Sequence, residues 1–596
     1  MSPTISSLFA EQVGRTPDAP AVQHPDAGRE LTYRELSREA DRLAQALVAR
    51  GLPQCGRVAV CLPQGVDRIA AFLASGKAGA AYVSMDPAQP KARHEFIAED
   101  SRADIVITVK ELAEHFPGTP ALLVDADRAE IAAMPPEPPP VTRGNEVAVI
   151  YYTSGTTGTP KGVLVPHASI AHFLASLRDP ALTPTDRMAQ VNSPAFDAST
   201  FETYGALTSG GCLVILSRDL LTDPAEFGAA VRRHGITAML LATSVFHEIA
   251  ARNPAAFAPL RLLVTGGETL DPRRARDVLA AGPGHLLNAY GPTETTTFVT
   301  WHEITAVPDD ARSIPIGLPL GEVRAYVLDE ELRPVPEGEL YLAGPCLALG
   351  YLDRPELTAA AFVPDPAVPG ELMYRTGDHV RRGPGGVLEF VGRTDRQVKL
   401  RGYRIELGEI EAQVIAHPDV AGGVVLVEGE GDGRMLVAYV VPARDAAGDL
   451  AGRLRAYLGE RLPLWMVPVL TVLDRLPLTS SGKIDRAALS EAAGKPDAQA
   501  GLAGLAPLES WLAGVWTDLT GIAPKGPDDD FFVIGGHSVL VGRLRARVRA
   551  ALGTQPPLRD YFTHSRLSEQ AAMLRRHDGS RNLDALARAL ADGRAR

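Results

Sequence analysis

A multidomain α/β fold is predicted by three observations. Short apolar runs alternate with helical patterns through the N-terminal half, closely spaced strands with glycine turns follow, and helical periodicity takes over beyond an Ala/Gly-rich stretch near the C-terminus. At 596 residues the chain is too long for one hydrophobic core, so three or four domains or subdomains are expected. The order of these patterns gives a large N-terminal core with parallel-rich sheets and a small β unit, then a small α/β lobe, then a helical bundle.

Val58-Ala59-Val60-Cys61-Leu62 reads as a buried strand, the segment from Asp67 to Ala78 as a helix, and Ala81-Tyr82-Val83 as the next strand. Ile105 to Val109 and Glu146 to Tyr151 continue the rhythm, which argues for parallel pairing. The proline cluster from Pro135 to Pro140 demands an extended surface connection, because proline supplies no N–H to a helix or ladder. Residues 338–342 and 386–392 are short strands bounded by glycine and suggest the β-rich unit. A boundary is expected near Asp395, dividing a core (1–394) from a small lobe (395–490), with a linker at 491–506 that has almost no large apolar residues. Leu508, Leu512, Val515, Trp516 and Leu519 recur at helical spacing, as do Val541, Leu544, Val548 and Leu552, so residues 507–575 read as a helical bundle. The tail, 576–596, offers Leu583, Leu586 and Leu590 for one short helix, although a frayed end is the expectation there.

Composition bounds the function classes. Hydrophobic content of 45% and charged content of 22% are ordinary for a soluble globular chain. The net charge of -12 gives no support for a nucleic-acid partner. Four cysteines without CxxC spacing or a zinc pattern fit a reducing compartment. No signal peptide and no bilayer-length apolar run is evident, so no membrane partner and a cytoplasmic location are expected.

Two segments carry chemistry. In Tyr152-Thr153-Ser154-Gly155-Thr156-Thr157-Gly158-Thr159-Pro160-Lys161-Gly162, the glycines let the backbone turn tightly and bring N–H groups to an anion. Ser154, Thr156 and Thr157 add hydroxyls and Lys161 a charge. A P-loop would need G-x-x-x-x-G-K-[ST], but here Pro160 precedes the lysine and Gly162 follows it. A Thr/Gly surface turn is the plain alternative. In Asp530-Phe531-Phe532-Val533-Ile534-Gly535-Gly536-His537-Ser538, the serine follows two glycines and opens an amphipathic helix, where the dipole favours a phosphate. A nucleophile elbow would place glycine where Leu540 stands, and only 58 residues follow Ser538, too few for the rest of a hydrolase. An unmodified helix N-cap is the bland reading.

The first segment resembles the signature of the adenylate-forming enzymes: acyl-CoA synthetases, firefly luciferase and the adenylation domains of nonribosomal peptide synthetases. Further segments match in the family's order: Asn288-Ala289-Tyr290-Gly291-Pro292-Thr293-Glu294, Tyr374-Arg375-Thr376-Gly377-Asp378, the stretch from Gly392 to Glu406, and Leu478-Thr479-Ser480-Ser481-Gly482-Lys483-Ile484-Asp485. The segment around Ser538 resembles the peptidyl carrier protein motif, whose serine receives 4′-phosphopantetheine. The resemblance implies that ATP is held by Thr153, Ser154, Gly155, Thr156, Thr157, Gly158, Lys161, Asn288, Tyr290, Asp378, Phe390 and Arg393, with Mg²⁺ on Glu294. It implies catalytic roles for Lys483, Lys399, the hinge Asp395 and Gly402 on the loop beyond it. The chemistry suits these types. Asp378 accepts both ribose hydroxyls, Tyr290 stacks on adenine, Glu294 is a hard oxygen ligand for Mg²⁺, and Lys483 brings a cation to the attacking carboxylate and the α-phosphate. Phe390 stands where a tyrosine is usual, and Ala80, Ser84 and Met85 replace residues often seen as Gly, Pro and Leu.

Phe196-Asp197-Ala198-Ser199 resembles the start of the substrate pocket in amino-acid-activating members, in which the aspartate pairs with the substrate's ammonium. The plain reading of Asp197 is a helix N-cap. By the same resemblance the pocket is lined by Asp197, Ala198, Phe201, Leu240, Val264, Gly266, Ala289, Thr297, Phe298 and Lys483. An apolar lining of this kind leads to an expected aliphatic substrate, valine or isoleucine with leucine next and aromatics as runner-up. The function implied is ATP-dependent amino-acid adenylation with thioester loading onto the chain's own carrier. An acyl- or aryl-CoA synthetase and a non-catalytic scaffold are the alternatives. Expected partners are a phosphopantetheinyl transferase, a downstream condensation or tailoring enzyme and a small accessory protein. A free-standing loading didomain or initiation module is expected, because Ser7 to Gln12 already resembles the first helix of the adenylation domain.

Overall fold

The structure, a computed structural model, describes residues 3–154, 159–393, 397–400, 403–429, 434–443, 450–477, 489, 505–532, 534–536, 538–578 and 582–591. Two compact units emerge, one of Met1–Arg218 with Pro224–Glu409, the other of Asp219–Asp223 with Ile410–Arg596. The first unit runs past the expected boundary at 394, because the hairpin Gln397–Leu400/Tyr403–Glu406 is hydrogen-bonded to the core. The expected hinge (394–396) and linker (491–506, but for 505 and 506) lie outside the described residues.

The strands expected in the N-terminal half all form. Among the described residues, one six-stranded sheet runs Ala121–Leu123, Ile105–Thr108, Arg57–Val60, Ala81–Ser84, Val147–Thr153, Lys161–Pro166. Its pairs are parallel except the last, in which Thr153 lies opposite Lys161. The strands on either side of the glycine- and hydroxyl-rich segment are therefore antiparallel neighbours. The helix Val66–Lys77 crosses between the parallel pair Arg57–Val60 and Ala81–Ser84, as parallel pairing requires. A nine-stranded sheet contains Ala238–Ala242, Leu262–Gly266 and His285–Tyr290 side by side and parallel. Leu240 is level with Val264 and Leu287, and Ala242 with Gly266 and Ala289, so the carboxyl ends of these strands are flush. That edge is where α/β sheets offer ligands a crevice. The β unit is antiparallel, and its register sets Asp378 directly across from Arg393.

In the second unit, Val420–Glu428, Met435–Pro442 and Val469–Val472 form a small sheet. The helical bundle comprises Pro507–Thr520, Ser538–Leu552, Leu558–Thr563, Leu567–Asp578 and Leu583–Ala591. Its core joins Leu508, Leu512 and Trp516 to Val541, Leu544 and Val548, as the spacing implies. Phe531 is fully buried with its ring 5.1 Å from Trp516, and Phe532 is buried beside it. Gly536 donates its N–H to Phe531 O at 2.8 Å. A Cβ there would strike the Phe531 ring and carbonyl, so only glycine lets the turn close before the helix that starts at Ser538. Among the described residues no helix is long and apolar enough to cross a membrane.

The tail departs from expectation. Leu583–Ala591 is a helix, not a frayed end, because Leu583 and Ala587 bury against the bundle. Asp584 accepts from Leu508 N at 3.2 Å and pairs with Arg575 at 2.9 Å. Leu583→Asp should therefore speed amide exchange across 508–516 in the full chain, read by hydrogen-exchange mass spectrometry. Unchanged protection there would mean that the helix adds nothing to the bundle.

Candidate active site

The residues singled out from sequence converge in two groups. The first surrounds Asp378. Its Oδ2 accepts from Tyr290 Oη at 2.6 Å, its Oδ1 from Arg393, and Lys399 Nζ lies 3.4 Å from Oδ2. Burial alone would raise the Asp378 pKa, but Lys399 and Arg393 outweigh it and hold the carboxyl below its usual range. Lys399 Nζ also sits 4.8 Å from the Tyr290 ring and 5.4 Å from the Phe390 ring. Phe390 thus presents an aromatic face where a tyrosine would add a hydroxyl. Asn288 is buried and donates to Pro315 O at 2.8 Å.

The second group surrounds Glu294, which has no solvent exposure. One carboxylate oxygen accepts from Tyr351 Oη at 2.7 Å and lies 3.6 Å from Lys161 Nζ; the other accepts from Arg404 at 2.7 Å. Burial pushes the Glu294 pKa up, yet Arg404 and Lys161 prevail and hold it at about 2. Lys161, at the end of the glycine- and hydroxyl-rich segment, points inward, 4.0 Å above the Tyr351 ring. Arg404 is fixed further by Gln397 at 2.6 Å and Tyr374 at 3.2 Å. Ser154 Oγ donates to Arg404 O at 2.9 Å and accepts from Glu406 N at 3.2 Å.

Asp197 makes no side-chain capping hydrogen bond, which removes the N-cap reading. Its carboxylate instead accepts from Thr293 Oγ1 at 2.5 Å, and loss of water pushes its pKa up to about 7. Thr297 Oγ1 donates to Asp197 O at 3.4 Å. Phe201 and Phe298 are buried with rings 5.3 Å apart, and Phe173 braces both, at 6.4 and 4.9 Å. Leu240, Val264 and Ala289 are buried within two residues of the carboxyl ends of their strands, and Ala198 follows Asp197 half-exposed. A Cβ at Gly266 would strike Ala289 O.

Gly155, Thr156, Thr157, Gly158, Asp395, Gly402 and Lys483 lie outside the described residues, as does the side chain of Ser538. Sequence reasoning missed Arg404, Tyr351, Tyr374, Phe173 and the bond from Thr293 to Asp197. Arg404 lies inside the matched stretch 392–406 and Thr293 beside Glu294, so adjacency was a usable signal for those two. Nothing local marks Tyr351 or Phe173.

A nucleotide with its metal fits this chemistry. Thr153 Oγ1 is buried without a hydrogen-bond partner among the described residues, at the mouth of the segment rich in backbone and hydroxyl donors. Among the described residues no group of three or more His, Cys, Asp or Glu is placed to hold a metal. The ionised Glu294 carboxylate suits Mg²⁺, which is bound through one or two carboxylates plus phosphates.

The enclosed Glu294 should govern acid stability. Its folded-state pKa lies below the ordinary 4.5, so its contribution is present above that value and lost as pH falls towards about 2. The full shift is worth about 3 kcal/mol. Glu294→Gln should lose that pH dependence in denaturant unfolding. It should also cost about 3–5 kcal/mol at neutral pH, because Arg404 and Lys161 lose their counter-charge. Identical pH dependence in the two proteins would refute the pairing.

Comparison with known proteins matches three family models in order. These are the AMP-binding enzyme over residues 9–352, the AMP-binding enzyme C-terminal domain over 409–483, and the phosphopantetheine attachment site over 510–574. The chain is 41% identical over 583 residues to the phosphinothricin tripeptide synthetase PhsC of Streptomyces viridochromogenes, covering 95% of this chain and 52% of that protein. It is 40% identical over 589 residues to the malpibaldin synthetase of Mortierella alpina, covering 96% of this chain and 10% of that protein. The chain thus spans from about a tenth to about half the length of these relatives. A solved NRPS protein containing adenylation and PCP domains, bound to a vinylsulfonamide inhibitor, superposes with a TM-score of 0.80 at 30% identity, covering 97% of both chains.

Proposed function

The chain belongs to the AMP-binding enzymes, and on that footing we propose the substrate it selects and the part each site residue plays. It is an adenylation domain fused to a carrier domain. It activates an amino acid with ATP as the aminoacyl adenylate, releasing pyrophosphate. It then passes the acyl group to the thiol of the 4′-phosphopantetheine arm on its carrier. In our reading Ser538 bears that arm and a phosphopantetheinyl transferase installs it. A condensation or tailoring enzyme in peptide biosynthesis takes the product, and a small accessory protein aids the adenylation domain.

Asp378, with Arg393, receives the ribose hydroxyls, while Tyr290, Asn288 and Phe390 frame the base. Thr153, Ser154, the glycines and threonines of 155–158 and Lys161 take the phosphates. Glu294 would hold Mg²⁺, which would neutralise phosphate charge when bound. Lys399 yields Asp378 to the ribose as Asp395 turns the lobe, with Gly402 facing the incoming arm. Lys483 neutralises charge between the attacking carboxylate and the α-phosphate.

The observation that carries the substrate class is the half-buried Asp197 carboxylate, which has a hydroxyl donor but no cation within hydrogen-bond or ion-pair distance among the described residues. A buried carboxylate calls for a counter-charge, and the substrate's ammonium supplies one. A plain acyl or aryl acid brings none, which disfavours the CoA-synthetase reading. The braced Phe201–Phe298 pair, Leu240, Val264 and Ala289 give an apolar wall, and Thr297 spends its hydroxyl on the Asp197 carbonyl. A medium aliphatic side chain fits, valine or isoleucine first and leucine next.

An amino-acid panel in ATP–pyrophosphate exchange tests this. Valine or isoleucine should lead, with related aliphatics within about 10–200-fold. A charged, amide or aromatic preference would sink the substrate assignment alone. Ser538→Ala should keep exchange but take up no phosphopantetheine mass.

The pH dependence follows from Asp197. The ammonium pairs with the ionised carboxylate, so the amino-acid KM should fall about tenfold per pH unit as pH rises towards about 7, then level off. Asp197→Asn should raise KM and flatten the profile. A wild-type KM indifferent to pH through this range would count against the contact.

A further inference from the structure

One buried polar cluster next to the pocket is used by none of the steps above. Glu202 has no solvent exposure and directly follows Phe201, in a π-helical turn spanning Phe201–Gly205. Such turns re-aim side chains and occur often at functional sites. The Glu202 carboxylate accepts from Val191 N at 3.1 Å, Asn192 N at 3.2 Å and Asn192 Nδ2 at 2.8 Å. The other hydrogen of that Asn192 amide goes to Leu240 O at 2.9 Å. One residue on, Ser193 Oγ donates to Asp86 Oδ2 at 2.5 Å, and the chain then runs through 194–196 to Asp197. Two side chains therefore tie together three separate pieces of the pocket wall: the turn bearing Phe201, the strand end bearing Leu240 and the segment leading to Asp197.

We propose that Glu202 and Asn192 form a clamp that fixes the depth of the amino-acid pocket, acting as specificity-determining positioning residues without touching substrate. This rests on the reading of Phe201, Leu240 and Asp197 as pocket wall. A carboxylate suits the task because it offers several acceptor sites to converging N–H donors. Arg68 lies near, itself almost fully buried and bound to Gln190 at 3.3 Å, so the clamp sits in a polar layer beneath an apolar pocket. With the clamp intact, Phe201 and Leu240 keep one spacing and side chains that differ by a methylene are told apart. With it broken, the wall gives and the distinction fades.

The test compares wild type, Asn192→Ala, Glu202→Ala and Glu202→Gln in full-length protein, using exchange kinetics over the amino-acid panel and thermal melts. For Asn192→Ala and Glu202→Ala, the kcat/KM ratio between the best amino acid and its nearest homologue should fall about tenfold. The amino-acid KM should rise while the ATP KM stays within about twofold. Glu202→Gln keeps a carbonyl oxygen for the two backbone N–H groups and should recover most of the discrimination. If Glu202→Ala does not fold, Asn192→Ala, which leaves Glu202 the backbone N–H groups of Val191 and Asn192, carries the comparison. An unchanged ratio, or amino-acid and ATP KM moving together, overturns the clamp. If the best amino acid proves not to be aliphatic, the substrate assignment fails while the clamp is still judged on that amino acid's homologue. If no amino acid supports exchange in wild type, both fall.

Discussion

The site depends on an ionised carboxylate with no access to water. Glu294 is stable there only because Lys161, Arg404 and the Tyr351 hydroxyl converge on it from three directions. Each partner brings its own element: the strand that leaves the glycine- and hydroxyl-rich turn, the Gln397–Glu406 hairpin, and the segment just before Pro355–Ala361. A buried charge leaves little freedom, because loss of one partner strands the others in a medium that solvates them poorly. Thr293, one residue before Glu294, holds Asp197, so the two carboxylates are set by the same short segment.

The two carboxylates have opposite electrostatic settings, and their roles differ accordingly. Surrounding cations hold Glu294 in its charged form. Asp197 is half-buried with a hydroxyl donor, and desolvation raises its pKa to about 7. Asp378 belongs with Glu294, being held ionised by Lys399 and Arg393. The positive groups of the hairpin thus stand where nucleotide and metal charges are placed in the proposed reaction.

The departures from the family's usual residues have local consequences. Phe390 keeps an aromatic face near Lys399 but offers no hydroxyl. Ser84 donates to Pro194 O at 2.5 Å, tying the six-stranded sheet to the segment that leads to Asp197. In the helical bundle, the lead-in to Ser538 is anchored by burial of Phe531 and Phe532, and Gly536 allows the close turn that starts the helix.

The sequence alone determined the fold class, the strands at 57–60, 81–84, 105–108 and 147–153, and the amphipathic helices of the bundle. These are local properties, written in periodicity, glycine placement and short motifs. It misjudged the tail, since the helix at Leu583–Ala591 depends on Leu508 and Arg575, distant in sequence, to cover it. Only the tertiary structure decided that Arg404 and Tyr351 meet at Glu294, that Thr293 rather than a helix end holds Asp197, and that Phe173 braces the pocket. Glu202 and Asn192 are ten residues apart and look unremarkable in the sequence, yet they join a strand end, a helical turn and a loop. The reason is physical. Pairing of buried charge and hydrogen-bond satisfaction are set by what surrounds a group in three dimensions, and no local pattern records which distant side chain will arrive.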